Sequence, residues 1–447
     1  MQPQDSKDLT QVGPGTVMGD FIRQYWLPAI KSDELEAGAG PMRLMLLGEK
    51  LIAFRDTLGQ VGVMDHRCPH RGASLFLGRN ENGGIRCVYH GWKFDVSGRC
   101  LETPNVPSPA NFNESVQARA YSVHEQNGLI WVFMGPQNQV PAFPQFQAAM
   151  RSEDEIEVQM MQRDCNWLQS LEGDLDTSHL GFLHLGNLDA DDVKDHPLEH
   201  AVRNRSPNFE VHETPWGVTC GAVRLTQTAS GEQAYWRTTN FMFPFWAQIP
   251  GGRVPDYIEI RAWVPIDDNN TMHIWLRQRG HRQGSDYPLK DGRPVPGTTA
   301  SVEFLPRTTD WMGRWRIKAN EQNDWLLDRD AQQKNHIFSG IDNIHLQDQA
   351  ITESMGPISD HSLEHLAPSD RMVMRTRRRL LNAARDLRNK SVPAPGAQNP
   401  GVFEDVRSGH FVAPPSLSML EAISQRNESR SSIEAAQGSN IETVRPI

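Results

Sequence analysis

Residues 68–90 read CPHRGASLFLGRNENGGIRCVYH. Each end of the stretch offers one cysteine and one histidine: Cys68 with His70, then Cys87 with His90, and sixteen residues lie between the two groups. Thiolates and imidazoles gathered in this way bind a metal. A structural zinc site is the simplest candidate, but such sites usually pair C-x2–4-C with a second like-spaced pair. Here each loop mixes its donors.

Mixed loops suit a [2Fe–2S] cluster in which two thiolates hold one iron and two imidazoles hold the other, the Rieske arrangement. Pro69 stiffens the first loop. Gly72 and Gly91 let backbone approach the cluster closely enough for N–H groups to bond its sulfurs. His66, just upstream, reads as a strand or turn histidine rather than a ligand. Around the loops run short β-rich segments broken by Gly, Asn and Asp, such as MRLMLLGEKLIAFRD and GLIWVFMG. Such runs predict a small antiparallel β domain over residues 29–140, after a helical lead-in at 1–28.

The chain is 447 residues long, beyond the roughly 250–300 at which one core usually divides. A second domain is expected over 150–390. It opens with a helix at about 164–180, continues in strands and returns to helices, giving an α+β class overall. Residues 281–300 read as a surface insertion, and 391–447 as a polar tail. The net charge of −10 argues against a general nucleic-acid binder. The longest apolar runs are too short to cross a bilayer, and MQPQDSKDLTQVG carries no secretory pattern. Beyond the two cluster cysteines, Cys100, Cys165 and Cys220 read as reduced thiols, so a cytoplasmic location is expected.

A second metal site is written in NWLQSLEGDLDTSHLGFLH, residues 166–184. Asp176, His179 and His184 make the pattern D-x2-H-x4-H. On a helix Asp176 and His179 share a face, whereas His179 and His184 diverge by roughly 140°. They meet on one metal only if the helix ends or bulges near Gly181. Two histidines and a carboxylate with open positions are the mark of oxygen-activating non-haem iron(II). The stretch 344–360, IHLQDQAITESMGPISD, offers Asp348, Glu353 and Asp360 as the distant carboxylate. His345 reads as structural and Asp360 as a cap.

Taken together, GTVMGDFIRQYWLP, CPHRG…CVYHGWKFD, the D-x2-H-x4-H segment and QDQAITESMGPISD resemble the oxygenase subunits of Rieske non-haem iron ring-hydroxylating oxygenases. The likeness is to the phthalate and phenoxybenzoate dioxygenase branch, which also holds O-demethylases of lignin-derived methoxyaromatics. It covers roughly residues 10–385 and implies a helix-grip catalytic domain. It implies one Rieske cluster on Cys68, His70, Cys87 and His90, and one mononuclear Fe(II) on His179, His184 and Asp348. Asp176 matches the family aspartate that bonds the iron-ligand histidine, here His179, and a Rieske histidine of the neighbouring subunit, here His90, within a head-to-tail homotrimer. Where many relatives have Asn, this chain has Glu172, with a buried carboxylate role expected.

The resemblance further implies a separate flavin and iron–sulfur reductase, with or without a ferredoxin, fed by NAD(P)H. The chain's own GPGTVMG at 13–19 has the wrong spacing for a nicotinamide site. The substrate expected is an aromatic, carboxylated small molecule, together with O2. The aromatic strand NFMFPFWAQIP (240–250) is a candidate pocket wall, and Arg224 and Arg237 are candidate carboxylate partners. Between two outcomes the insertion and the aromatic strand favour O-demethylation of a bulky methoxyaromatic, with ring cis-dihydroxylation as the alternative. A pure electron carrier would need only the first domain, and a zinc-stabilised binding module would need no iron triad.

Overall fold

The structure is a computed structural model that describes residues 1–107, 112–228 and 231–426. Two short helices open it, α1 (Pro3–Thr10) and α2 (Val17–Ile22), the second capped by the Thr16 hydroxyl, which accepts from the Gly19 N–H. β1 (Trp26–Lys31) begins inside the stretch read as a lead-in, because Trp26 already pairs with Phe133. Strands β2 (Met42–Leu46), β3 (Glu49–Arg55) and β4 (Val61–Asp65) follow, and the domain ends on β9 (Ala120–Gln126) and β10 (Leu129–Phe133). These six form one antiparallel sheet in the order β1-β10-β9-β4-β3-β2. Between β4 and β9 lies a smaller sheet of β5 (Arg79–Asn80), β6 (Ile85–Arg86), β7 (Lys93–Phe94) and β8 (Cys100–Glu102). It presents the two cysteine–histidine loops.

After α3 (Gln147–Met150) comes the second sheet, of eight strands. Its members are β11 (Ile156–Arg163), β12 (Asn208–Thr214), β13 (Gly217–Thr228), β14 (Gly231–Met242), β15 (Trp246–Gln248), β16 (Glu259–Pro265), β17 (Thr271–Gln278) and β18 (Gly409–Ala413). The order is β11-β17-β16-β15-β14-β13-β12, with β18 added on β14. Helices α4 (Trp167–Leu175), α5 (Glu199–Arg203), α6 (Arg329–Gln333), α7 (Ile344–Ser354) and α8 (Arg371–Lys390) complete it. α8 is anchored through Arg379 to the Thr214 carbonyl and through Arg385 to Asp5 and Asp8. The result is the α+β arrangement expected from the sequence.

Three expectations change. The tail read over 391–447 is not wholly extended: β18 pairs with Ala234–Thr238 of β14, and Phe403 is buried. Its polar composition hid a strand whose backbone, rather than its side chains, does the pairing; residues 427–447 lie outside the described residues. The aromatic strand is core. Phe241, Phe243, Phe245 and Trp246 are fully buried, and Trp246 stacks on Trp131 of β10 with ring centroids 5.6 Å apart. Those rings join the two domains, and of the stretch only Ile249 and Pro250 reach the cavity that also holds His179 and His184. The 281–300 segment is also more than a surface insertion: Leu289 and Val295 are buried beside Leu185, Leu188 and Leu198.

Candidate metal centres

The two cysteine loops share one backbone plan. Cys68 N–H donates to the Ala73 carbonyl and Gly72 N–H returns to the Cys68 carbonyl, both at 2.8 Å. Cys87 N–H donates to Trp92 at 2.8 Å, and Gly91 N–H to Cys87 at 2.9 Å. Each turn needs a residue in the left-handed region, and Gly72 and Gly91 supply it with φ of 75° and 79°. The loops face each other so that the His70 and His90 rings lie 4.5 Å apart, with His70 stacked on Trp92 at 4.2 Å. Cys68 and Cys87 are buried. Burial, with the Cys87 thiol alongside, pushes the Cys68 thiol up to about 11. Two adjacent buried thiols hold charge only if a cation sits between them, which is what a cluster of two irons provides. The outer surface of the tip is apolar and exposed at Val88 and Tyr89. His66 takes no part; its Nδ1 lies 3.5 Å from the Ser74 hydroxyl.

The second centre forms where α4 ends. The helix stops at Leu175, earlier than the sequence indicated, and Asp176 sits at its C-cap rather than on a helical face shared with His179. A single 3-10 turn, His179–Gly181, then swings the chain so that the two histidines converge. His179 Nε2 and His184 Nε2 are 3.2 Å apart, and Asp348 Oδ1 on α7 lies 3.7 and 3.2 Å from them. The three donor atoms fall within 4.8 Å of one another, compact enough for one metal ion. Glu353 points elsewhere, accepting from Asp164 N–H and Trp325 Nε1, and Asp360 caps its own turn at Ser362.

Around the triad the polar partners are specific. His184 Nδ1 donates to Gln347 Oε1 at 2.5 Å, and Gln347 in turn donates to the Gly297 and Ile341 carbonyls. A histidine ligand is fixed in tautomer and rotation by such a bond. Gln347 was not singled out in the sequence, although it stands beside Asp348 in the same QDQA run. On the other side, Asp176 Oδ2 lies 3.6 Å from His179 Nδ1, while its Oδ1 accepts from the Ser178 N–H and hydroxyl. Burial raises the Asp176 carboxyl, but His179 and Ser178 outweigh it and hold it at about 2. Burial likewise works against a charged His179, yet Asp176 and Asp348 lift it to about 9. A site in which two carboxylates press on two imidazoles attracts a cation.

Glu172 lies away from the triad. Both its oxygens accept from Arg377 at 2.6 Å, and the same guanidinium holds Glu364 at 2.5 and 2.7 Å. Glu172, His361 and Glu364 are close enough for a metal, but Arg377 already supplies the positive charge there. Glu172 therefore ties α4 to α8.

A cavity of about 90 Å³ opens beside the triad. Its walls include Asp174, Arg237, Thr239, Arg261, His345 and Pro250. Arg261 is neutralised by Asp174 at 2.8 Å, and Trp263 Nε1 donates to the same carboxylate. Arg237 differs in having no acidic partner among the described residues; its Nε, like that of Arg261, has no hydrogen-bond partner there. Its neighbour Arg224 is buried, donates to the Asn204 carbonyl and also leaves Nη1 unpartnered. Burial, and then Arg237, push Arg224 down to about 10. His345, read as structural, lies on the cavity wall, where burial pushes its pKa down to about 3 and keeps it neutral.

Comparison with known proteins matches these two halves. Residues 25–120 fit the Rieske [2Fe-2S] domain and residues 132–438 the LigXa C-terminal domain like family. The chain is 48% identical to the 3-chlorobenzoate-3,4-dioxygenase oxygenase subunit of Comamonas testosteroni, over 95% of this chain and 98% of that one. It is 34% identical to the phthalate 4,5-dioxygenase oxygenase subunit of Pseudomonas putida, covering 86% of each. In fold it is similar to the Pseudomonas putida CBB5 NdmA QL mutant with theobromine, with a TM-score of 0.53 at 18% identity over 90% of this chain and 99% of that chain. Among the described residues no helix is long and apolar enough to cross a membrane. With a cluster-type pair of loops, a 2-His-1-carboxylate triad and relatives of this kind along nearly its whole length, the chain belongs to the Rieske non-haem iron oxygenases, enzymes that carry a [2Fe–2S] cluster and a mononuclear iron and depend on a separate reductase.

Proposed function

We propose that this oxygenase dihydroxylates the ring of a single-ring aromatic carboxylate, with electrons delivered by its reductase. The observation that carries the reading is Arg237, a guanidinium with an unpartnered Nε on the wall of the cavity that adjoins His179, His184 and Asp348. An arginine with no acidic partner among the described residues, beside the buried Arg224, calls for a carboxylate from outside, which its fork binds in a fixed plane. The size of the cavity supports one ring rather than the bulky methoxyaromatic favoured from sequence: the strand expected to widen it is packed into the domain junction instead. The 48% identity to a chlorobenzoate dioxygenase subunit supports the same direction.

In this reading Cys68, His70, Cys87 and His90 would hold the cluster, and His179, His184 and Asp348 the iron. Such an iron site, once loaded, supplies the reductive activation of O2. The chain's own residues do the rest. Gln347 keeps His184 presenting Nε2, Asp176 keeps His179 doing the same, and Arg237 sets the distance of the ring from the triad. Adding both oxygen atoms to a ring consumes two electrons and two protons, so the reductase is an obligate partner. We further propose a head-to-tail trimer in which Asp176, partly exposed, meets His90 of the next copy. The exposed Val88 and Tyr89 at the cluster tip and Phe182 beside the triad support that contact. A heterologous interface of this kind closes into a ring.

The test is oxygen uptake by the reconstituted enzyme and a reductase, on benzoates with and without chloro and methoxy groups. The expected result is a cis-diol in step with oxygen consumed, with no formaldehyde. Formaldehyde released in step with oxygen would replace this reading with demethylation.

A further inference from the structure

A second and larger cleft, of about 1140 Å³, lies against the cavity and has no part in the chemistry above. Its walls come from His200 on α5, Tyr235 on β14, the turn at Arg253, His281, His410 on β18 and Arg426. The two spaces share one partition: Pro250 and Gln283 face the triad cavity, while the next residues, Gly251 and Gly284, face the cleft. Alternation along β14 joins them as well. Tyr235 opens on the cleft, and Arg237 and Thr239, two and four residues on and on the same face of the strand, open on the cavity.

The cleft carries polar groups with nothing to bind. Tyr235 is 3% exposed, its ring packs on His200 at 4.1 Å, and its hydroxyl has no partner. His281 stacks on Tyr257 at 4.1 Å and leaves Nε2 unpartnered. Tyr257 in turn accepts a bond from Gln283 at 3.2 Å, so a chain of contacts runs from the cleft into the partition. At the mouth burial and then Arg253 lower the pKa of Arg426, with Asp256 acting the other way, and Arg426 donates to the Val412 carbonyl at 2.5 Å. Of the acids there, Glu199 is occupied by Arg203 at 2.6 Å, whereas Asp195 and Asp256 are exposed at the rim.

We propose that this cleft is the entry site of the substrate: an aromatic carboxylate docks with its charge on Arg253 and Arg426 and its ring against His200 and Tyr235, then passes between Pro250 and Gln283 to Arg237. The proposal rests on the substrate class inferred above. It also answers a problem of access, since the trimer contact would cover the exposed side of the triad at Asp176 and His179.

Equilibrium dialysis of radiolabelled benzoate against the holoenzyme tests it. Two equivalents per chain are expected; Arg237→Gln removes one, and the double variant Arg253→Gln/Arg426→Gln removes the other. In turnover of any aromatic carboxylate that the enzyme accepts, the double variant should lose about fivefold in kcat/KM through KM, and KM should lose its rise with added salt. Tyr235→Phe, which keeps the ring packing, should weaken the same equivalent. A single equivalent abolished by Arg237→Gln, or a KM indifferent to the double variant, overturns the entry site and leaves the function standing. No benzoate bound at all overturns the carboxylate reading with it.

Discussion

The two metal-binding regions are built on opposite principles. The cluster loops are local: four proposed donors within twenty-three residues, held by two copies of one glycine turn on a small sheet of their own. The proposed iron triad is assembled from distance. Two donors follow α4, the third comes from α7, and Gln347, which orients one of them, hangs from the loop at Gly297. A local site depends on turn geometry, whereas a distant one depends on the packing of a whole domain.

That contrast is open to attack in order of effect. Asp348→Ala should abolish turnover and mononuclear iron while leaving the cluster's visible spectrum intact; a change in that spectrum, read with iron analysis, would show the centres to be structurally coupled. Asp176→Asn should retain both metals yet lower coupled turnover by about a hundredfold, because the amide cannot take up charge beside His179; rapid-mixing kinetics of cluster reoxidation locate the loss. Gln347→Ala should leave turnover measurable at saturating iron but weaken iron binding by about tenfold, seen by titration of the apo site. Gly91→Ala should be the mildest. It forces a side chain into φ 79° and against Pro104 Cγ at 2.7 Å, costing about 1–2 kcal/mol in the cluster domain's unfolding free energy. Chemical denaturation followed at the cluster absorbance measures it.

The same contrast explains what could be read in advance. Cys68, His70, Cys87 and His90, the proposed cluster ligands, could be singled out because their spacing alone suggests a site. Asp176, His179 and His184 were visible as a pattern, but the end of α4 was placed too late, since the glycine in its last turn, Gly173, lies inside the helix and no glycine or proline follows the last helical residue, Leu175, before Gly181. Asp348 could be chosen over Glu353 and Asp360 only through family resemblance. Arg237 was a candidate beside Arg224, yet only the register of β14 shows which faces the cavity. Gln347 and the wall position of His345 were out of reach, because a glutamine or histidine on a buried helix looks the same whether it packs or orients. The aromatic run 240–250 misled for a related reason: apolar rings line cavities and domain junctions alike.

The strand β18 has a consequence in time. Thr238 and Gly409 bond to each other across 171 residues of sequence, and the segment so completed pairs with β14 at Arg237. During synthesis the cluster domain has every strand of its sheet by Phe133, and domains fold as they emerge. The second sheet must wait for Gly409–Ala413, long after the strand they pair with. The electron-carrying half is therefore ready for its cofactor on the ribosome, while the second half stays unfinished until β18 has emerged.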